Sequence, residues 1–73
     1  MKMQIVESSQ IHSVGHDADS NTLAITFKGK NGNSTYHYDG VTTEQFQALL
    51  DAESHGVHLG KFIKPNHTAR KIS

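Results

Sequence analysis

Between Thr22 and Lys28 the chain alternates. Leu23, Ile25 and Phe27 point one way, Thr22, Thr26 and Lys28 the other, and Ala24 is small enough for either face. A period of two over such a run predicts a half-buried β-strand. The same period in Ser34–Asp39 puts Tyr36 and Tyr38 on one face and Thr35 and His37 on the other. Between these runs lies KGKNGNS, whose two glycines and two asparagines suit a hairpin loop several residues long. Residues Ile5 to Val14 alternate imperfectly, interrupted by Ser8-Ser9-Gln10, and GHDADSN then supplies turn formers. That N-terminal part is read as a third strand completing a small antiparallel sheet.

The period changes after Gly40. Thr42 with Gln45 three residues on predicts a capping box, in which each side chain satisfies a free backbone N–H of the other residue. Val41 before the cap and Phe46 at the fourth helical position fit a hydrophobic staple. Phe46, Leu49 and Leu50 form the buried stripe, Ala52 lies at its edge, and Gly56 is placed to stop the helix in a left-handed conformation. Beyond it, SHGVHLGKFIKP predicts a short helical or irregular element offering Val57, Leu59, Phe62 and Ile63 to the core, ended by Pro65. A hairpin or a short helix is marginal alone, so the expected fold class is α+β. We expect three or four antiparallel strands packed on one main helix, with a short C-terminal element.

At 73 residues the chain is half an ordinary domain, and no linker separates two apolar blocks, so residues 1–73 read as one domain. Such a domain buries only about 60% of its unfolded surface. Cysteine is absent, which excludes a disulfide staple and a thiolate zinc site. Oligomerisation or a bound ligand is the usual substitute, so a homo-oligomer is among the expected partners. The N-terminal MKMQIVESS has no apolar run of signal-peptide length and no segment is long enough to span a bilayer, which leaves the cytoplasm as the expected compartment and no membrane partner.

Formal net charge is zero, which argues against gripping nucleic acid by bulk electrostatics. Its distribution is uneven. Met1 to Glu53 carries a balance of −4, and Ser54 to Ser73 carries Lys61, Lys64, Arg70 and Lys71 with no acid, a balance of +4. A basic tail on an acidic body is a candidate anion-binding element. A solvated tail that keeps the protein soluble fits the same pattern.

Six histidines raise the question of metal. His12 and His16 fall on strand and turn, where a spacing of four does not bring side chains together. His55 and His58 lie closer, with His67 available from the tail. No carboxylate stands at HExxH spacing, and neither a metal nor a cofactor is expected. The histidines read instead as surface groups titrating near about pH 6.5. Ser8, Ser9, His12, His16 and Asp17 include the residue types of a nucleophile and a base, but types without geometry are not a triad, and a domain this small seldom shapes a water-excluding pocket. No catalytic residue is assigned, and the expected role is not that of an enzyme.

VESSQIHSVGHD, TLAITF, TYHYDGV and FQALLDAESHGVHLGKFI, in that order, resemble the KTSC domain, a short bacterial and phage module named for its occurrence at the C-terminus of some lysyl-tRNA synthetases. The matching features are Tyr36-His37-Tyr38, the Ser8-Ser9 pair, the leucine- and phenylalanine-bearing strand, and the Ala52-Glu53-Ser54-His55-Gly56 turn. The resemblance runs from about Val6 to Ile72 and implies a stand-alone copy, bacterial or phage-borne. It departs at Gly15-His16-Asp17, where the family often has Gly-Tyr-Asp, at His67 in place of a tyrosine, and at the inserted KNGN. Attachment to a synthetase implies RNA as a partner by context alone.

The expected function is therefore a non-enzymatic module binding RNA or another phosphate-bearing ligand such as a nucleotide. Lys61, Lys64, Arg70 and Lys71 would hold phosphates while Tyr36, His37 and Tyr38 stack or hydrogen-bond. The alternative is a small oligomeric interaction or sequestration protein, for example a phage protein that captures a nucleotide signal or a host protein. The tyrosines themselves allow two readings. They form an exposed platform, or they are core with their rings buried, in which case His37 marks a binding surface on the other face.

Overall fold

Alternation becomes a meander of antiparallel strands. In the computed structural model, which describes all residues Met1–Ser73, β1 (Met3–Ile5), β2 (Ile11–Asp17), β3 (Thr22–Phe27) and β4 (Ser34–Asp39) follow in chain order. α1 (Thr43–Asp51), α2 (His55–His58) and a π-helical turn (Leu59–Ile63) come next, and β5 (Ala69–Lys71) returns to the sheet. The strand order is β1-β2-β3-β4-β5, antiparallel throughout. The class is α+β, but five strands replace the expected three or four. The additional strands are the two edges, and all three residues of each are exposed. An edge strand with no buried face carries no alternation to read.

Register assigns the faces. Leu23 pairs with Tyr38 and Ile25 with Tyr36, so both tyrosines stand on the face covered by the helices. Ile11 and Val14 also face the core, although they are three apart. A bulge reconciles them: Ile11 pairs with Phe27 and Ser13 with Thr26, leaving His12 as the extra residue. This is why the N-terminal alternation looks imperfect. β2 also runs on to Asp17, further than the turn-forming composition suggests.

The core unites Ile11, Val14, Leu23, Ile25 and Tyr38 of the sheet with Val41, Leu49, Leu59 and Ile63. Val6, Phe27, Tyr36, Phe46 and Leu50 pack around them. On the opposite face β2 and β3 present the small residues Ser13, Gly15, Ala24 and Thr26. A Cβ on Gly15 would lie 2.6 Å from the Met3 sulfur and 2.9 Å from the Lys2 carbonyl oxygen, so glycine is what lets β1 lie close against β2.

The helix begins as predicted. The Thr42 hydroxyl accepts from the Gln45 N–H at 3.2 Å, and the Thr42 N–H donates to Gln45 Oε1 at 2.8 Å. Leu49 is fully buried, with Phe46 and Leu50 half-buried beside it. Its end differs from expectation. The helix stops at Ala52, which is extended (φ −69°, ψ 144°), and Gly56 lies inside α2 beside Gln10 rather than in a left-handed cap. Ser54 caps α2 through its hydroxyl, which accepts from the Val57 N–H at 3.3 Å. The wider π-helical turn closes with Lys64 N–H donating to the Leu59 carbonyl at 2.9 Å. It aims Leu59 and Ile63 inward, while Val57 (55% exposed) and Phe62 (56%), both expected in the core, face outward.

Candidate phosphate-ligand groove

On the helix side of the sheet, β4 and β5 leave an open groove of 660 Å³. Phe27, Ser34, Tyr36, Tyr38, Lys64, His67 and Ala69 line it. Two of these positions follow from alternation in β4, two from the ends of the hairpin loop, and one from β5. Lys64 follows the π-helical turn, and its ammonium stands 5.4 Å from the centre of the Phe27 ring. Tyr36 meets the same ring edge-on, with centroids 5.7 Å apart at 75°. One wall thus carries an aromatic pair under a cation, an arrangement that attracts both a planar base and an anion.

The tyrosines have unequal parts. Tyr38 is 3% exposed and belongs to the core, where it forms the floor. Burial, and secondarily the neighbouring Tyr36, pushes its phenol above the ordinary value. Tyr36 is half-buried and is the member of the pair that offers ring surface. The core reading therefore holds for Tyr38, and the groove rather than the opposite face receives Tyr36.

The seven candidate residues divide. Tyr36, Tyr38 and Lys64 line the groove, and Lys71 shares their face of the sheet because it pairs with Tyr36. His37 pairs with Arg70 on the opposite face. There Arg70 is engaged with Asp39 at 2.7 Å. Lys61, in the π-helical turn, is exposed and outside the groove. The basic tail thus does not act as one patch: strand alternation sends Arg70 and Lys71 to opposite faces. Ser8 is structural, its hydroxyl accepting from the Gln10 and Ile11 N–H groups at 3.3 and 3.2 Å, and Lys28 is tied to its carbonyl at 2.7 Å.

The histidines are not free surface groups. None is fully exposed, and three of them hydrogen-bond backbone carbonyls. His16 Nε2 donates to Val41 at 2.6 Å while its ring stacks on Phe46 at 5.1 Å. His55 Nδ1 donates to Leu49 at 2.8 Å, and His67 Nδ1 to Asp39 at 2.9 Å. His16 and His67 thereby hold the two ends of Asp39-Gly40-Val41, a turn that Gly40 makes with φ +75°. No three His, Cys, Asp or Glu side chains gather around a metal-sized site, and no helix is long and apolar enough to cross a membrane.

Phe27 and His67 are the wall residues that sequence reasoning placed elsewhere, Phe27 in the core and His67 as a loose tail residue. A signal for Phe27 existed. It ends its strand, where the hairpin loop begins.

Residues 7–67 match the KTSC domain. A KTSC domain protein from Yersinia pestis, known from its crystal structure, is 38% identical and superposes with a TM-score of 0.89 over 99% of this chain and 97% of that one. A protein of Stutzerimonas stutzeri is 36% identical over 67 residues, covering 92% of this chain and 90% of the relative. A protein of Tsukamurella paurometabola is 42% identical over 67 residues, covering 92% and 96%.

Proposed function

The chain belongs to the KTSC domain family, and we propose that it is a non-enzymatic module that binds a phosphate-bearing ligand carrying a planar base, either single-stranded RNA or a nucleotide. The observation that carries this reading is the Lys64 ammonium over Phe27, with Tyr36 against the same ring, in an open groove. Lys64 and Lys71 hold phosphates, Tyr36 supplies the stacking face, and Tyr38 closes the floor. Because the whole chain is neutral, affinity comes from this local arrangement rather than from net charge.

Fluorescence anisotropy with labelled oligoribonucleotides at 50 and 200 mM salt tests the proposal. Each phosphate contact to a single strand adds roughly 0.7 to the slope of log affinity against log salt. The Lys64→Ala/Lys71→Ala variant should lose about two such contributions, and Tyr36→Ala should cost about 1–3 kcal/mol of stacking. Binding that ignores salt, or that survives all three substitutions unchanged, overturns the reading.

A second reading rests on the opposite face, where Met3, Ile5 (79% exposed) and Ile72 leave apolar surface near both sheet edges. On that reading two copies associate through this face. Light scattering across a concentration series gives the assembly state directly.

A further inference from the structure

The free edge of β1 has the features of a strand acceptor. Val6 N–H donates to the His12 carbonyl at 3.2 Å, and in an antiparallel pair hydrogen-bonded and non-hydrogen-bonded positions alternate. Gln4, opposite Val14, therefore turns its N–H and C=O toward β2, while Met3 and Ile5 turn theirs out of the sheet. Nothing along the edge obstructs a partner: Met3-Gln4-Ile5 contains no charge, no proline and no bulge, and Gly15 lets the strand lie close on β2. The other edge differs. β5 carries Arg70 and Lys71, the kind of charge that keeps an edge from pairing.

We propose that the occupant of the β1 edge is a second copy of this chain, the two β1 strands pairing antiparallel about a two-fold axis at Gln4. The strand's own sequence carries the choice. Matching the outward N–H and C=O groups requires odd-numbered residues to face odd-numbered ones. With the axis at Gln4, Met3 stands across from Ile5 of the second copy and Ile5 across from its Met3, and each pair exchanges both backbone bonds. Met3 (38% exposed) and Ile5 (79%) are also the strand's exposed apolar side chains, and they share one face of the sheet because they pair with Gly15 and Ser13. The two-fold covers each with the other. An axis at Ile5 would instead set Met3 against the Glu7 carboxylate, and one at Met3 would set Ile5 against Met1, outside the strand. Charge points the same way. Lys2 and Glu7 bracket the strand, and antiparallel pairing brings the Lys2 end of one copy beside the Glu7 end of the other, where parallel pairing would set like charges together. The contact is short, three residues a side, so the association is weak and concentration-dependent. It is independent of the phosphate-ligand reading, and it joins the copies edge to edge rather than face to face.

The chain's lack of cysteine makes the register testable by cross-linking. At the axis Gln4 meets Gln4 of the second copy in a non-hydrogen-bonded pair, with Cα atoms about 4.5 Å apart and within disulfide reach. Gln4→Cys should therefore form a disulfide-linked dimer at least about tenfold faster than Lys30→Cys, whose thiol would sit on the exposed hairpin loop; equal rates overturn the proposal. In the wild type, hydrogen exchange at the Met3 and Ile5 amides should slow as protein concentration rises, a reading that needs no substitution. Light scattering should show a reversible monomer–dimer equilibrium, and Ile5→Lys, at a position too exposed to disturb the fold, should weaken it about tenfold or more. A dimer whose Gln4→Cys thiols fail to cross-link is joined elsewhere, and mass that grows past two copies marks β1 pairing head to tail with β5. Either result overturns the two-fold edge, as does a protein that stays monomeric up to about 1 mM.

Discussion

Arg70 meets the carboxylate of Asp39 at 2.7 Å on the face of the sheet turned away from the helices. That pairing removes the guanidinium from the groove and helps lay β5 against β4. Asp39 also donates its N–H to the Thr68 carbonyl at 3.0 Å and accepts from His67, so one residue receives the returning chain three times. Both members of the ion pair are about half exposed, so Arg70→Ala is expected to cost no more than about 1 kcal/mol, and less in high salt. It should leave oligonucleotide affinity almost unchanged while Lys64→Ala lowers it. Parallel titration of the two variants checks this, and equal losses would return Arg70 to the binding surface.

His16 joins β2 to the start of α1. The variant His16→Phe keeps a ring to stack on Phe46 but leaves the Val41 carbonyl without its donor. Stability should fall by about 1–3 kcal/mol, a change readable as a lowered urea midpoint with the same m-value. A midpoint equal to wild type would mean that the stacked ring, not the 2.6 Å hydrogen bond, does the joining.

Tyr38 sets the behaviour in alkali. Its phenol is held above the ordinary value of 10.0 by burial and then by Tyr36, so the unfolded chain ionises first as pH rises. The folded state then holds the extra proton, and stability falls with pH from near pH 10 until Tyr38 itself ionises. Below that window the residue contributes no pH dependence. Denaturation curves between pH 8 and pH 11 should show this decline for the wild type and a shallower one for Tyr38→Phe.

Gly15 governs the β1 edge. Gly15→Val places atoms where the Met3 sulfur and the Lys2 carbonyl now lie, so β1 should detach while β2 to β5 remain paired. Hydrogen exchange would show lost protection confined to residues 3–6 and their partners in β2. Uniform loss across the sheet would show instead that β1 is integral to its folding.

What could be read from the chain was local or periodic. The Thr42–Gln45 box is three residues long, and the strand β3 declares itself through Leu23, Ile25 and Phe27, so both were legible. The class and the family resemblance followed from such pieces in order. β5 was not legible, because Ala69, Arg70 and Lys71 are all exposed and are held by partners about thirty residues away. Missing it had a direct consequence for the site. Once the segment is a strand, a period of two separates Arg70 from Lys71, and the supposed basic patch divides between two faces. The groove was half visible for the same reason: Tyr36, Tyr38 and Lys64 were named, but only the returning chain brings His67 to Asp39.

The bulge at His12 gives the sheet an unusual tolerance. Removing one residue from a strand ordinarily exchanges its two faces, turning core side chains to water. Here Ile11 and Ser13 already sit opposite consecutive residues of β3, Phe27 and Thr26. Deleting His12 would leave an uninterrupted inward-outward-inward run through Ile11, Ser13 and Val14, and would forfeit the 3.2 Å hydrogen bond from Val6 to the His12 carbonyl. β2 thus contains one position where the chain can shorten by a residue without changing which side of the sheet anything faces.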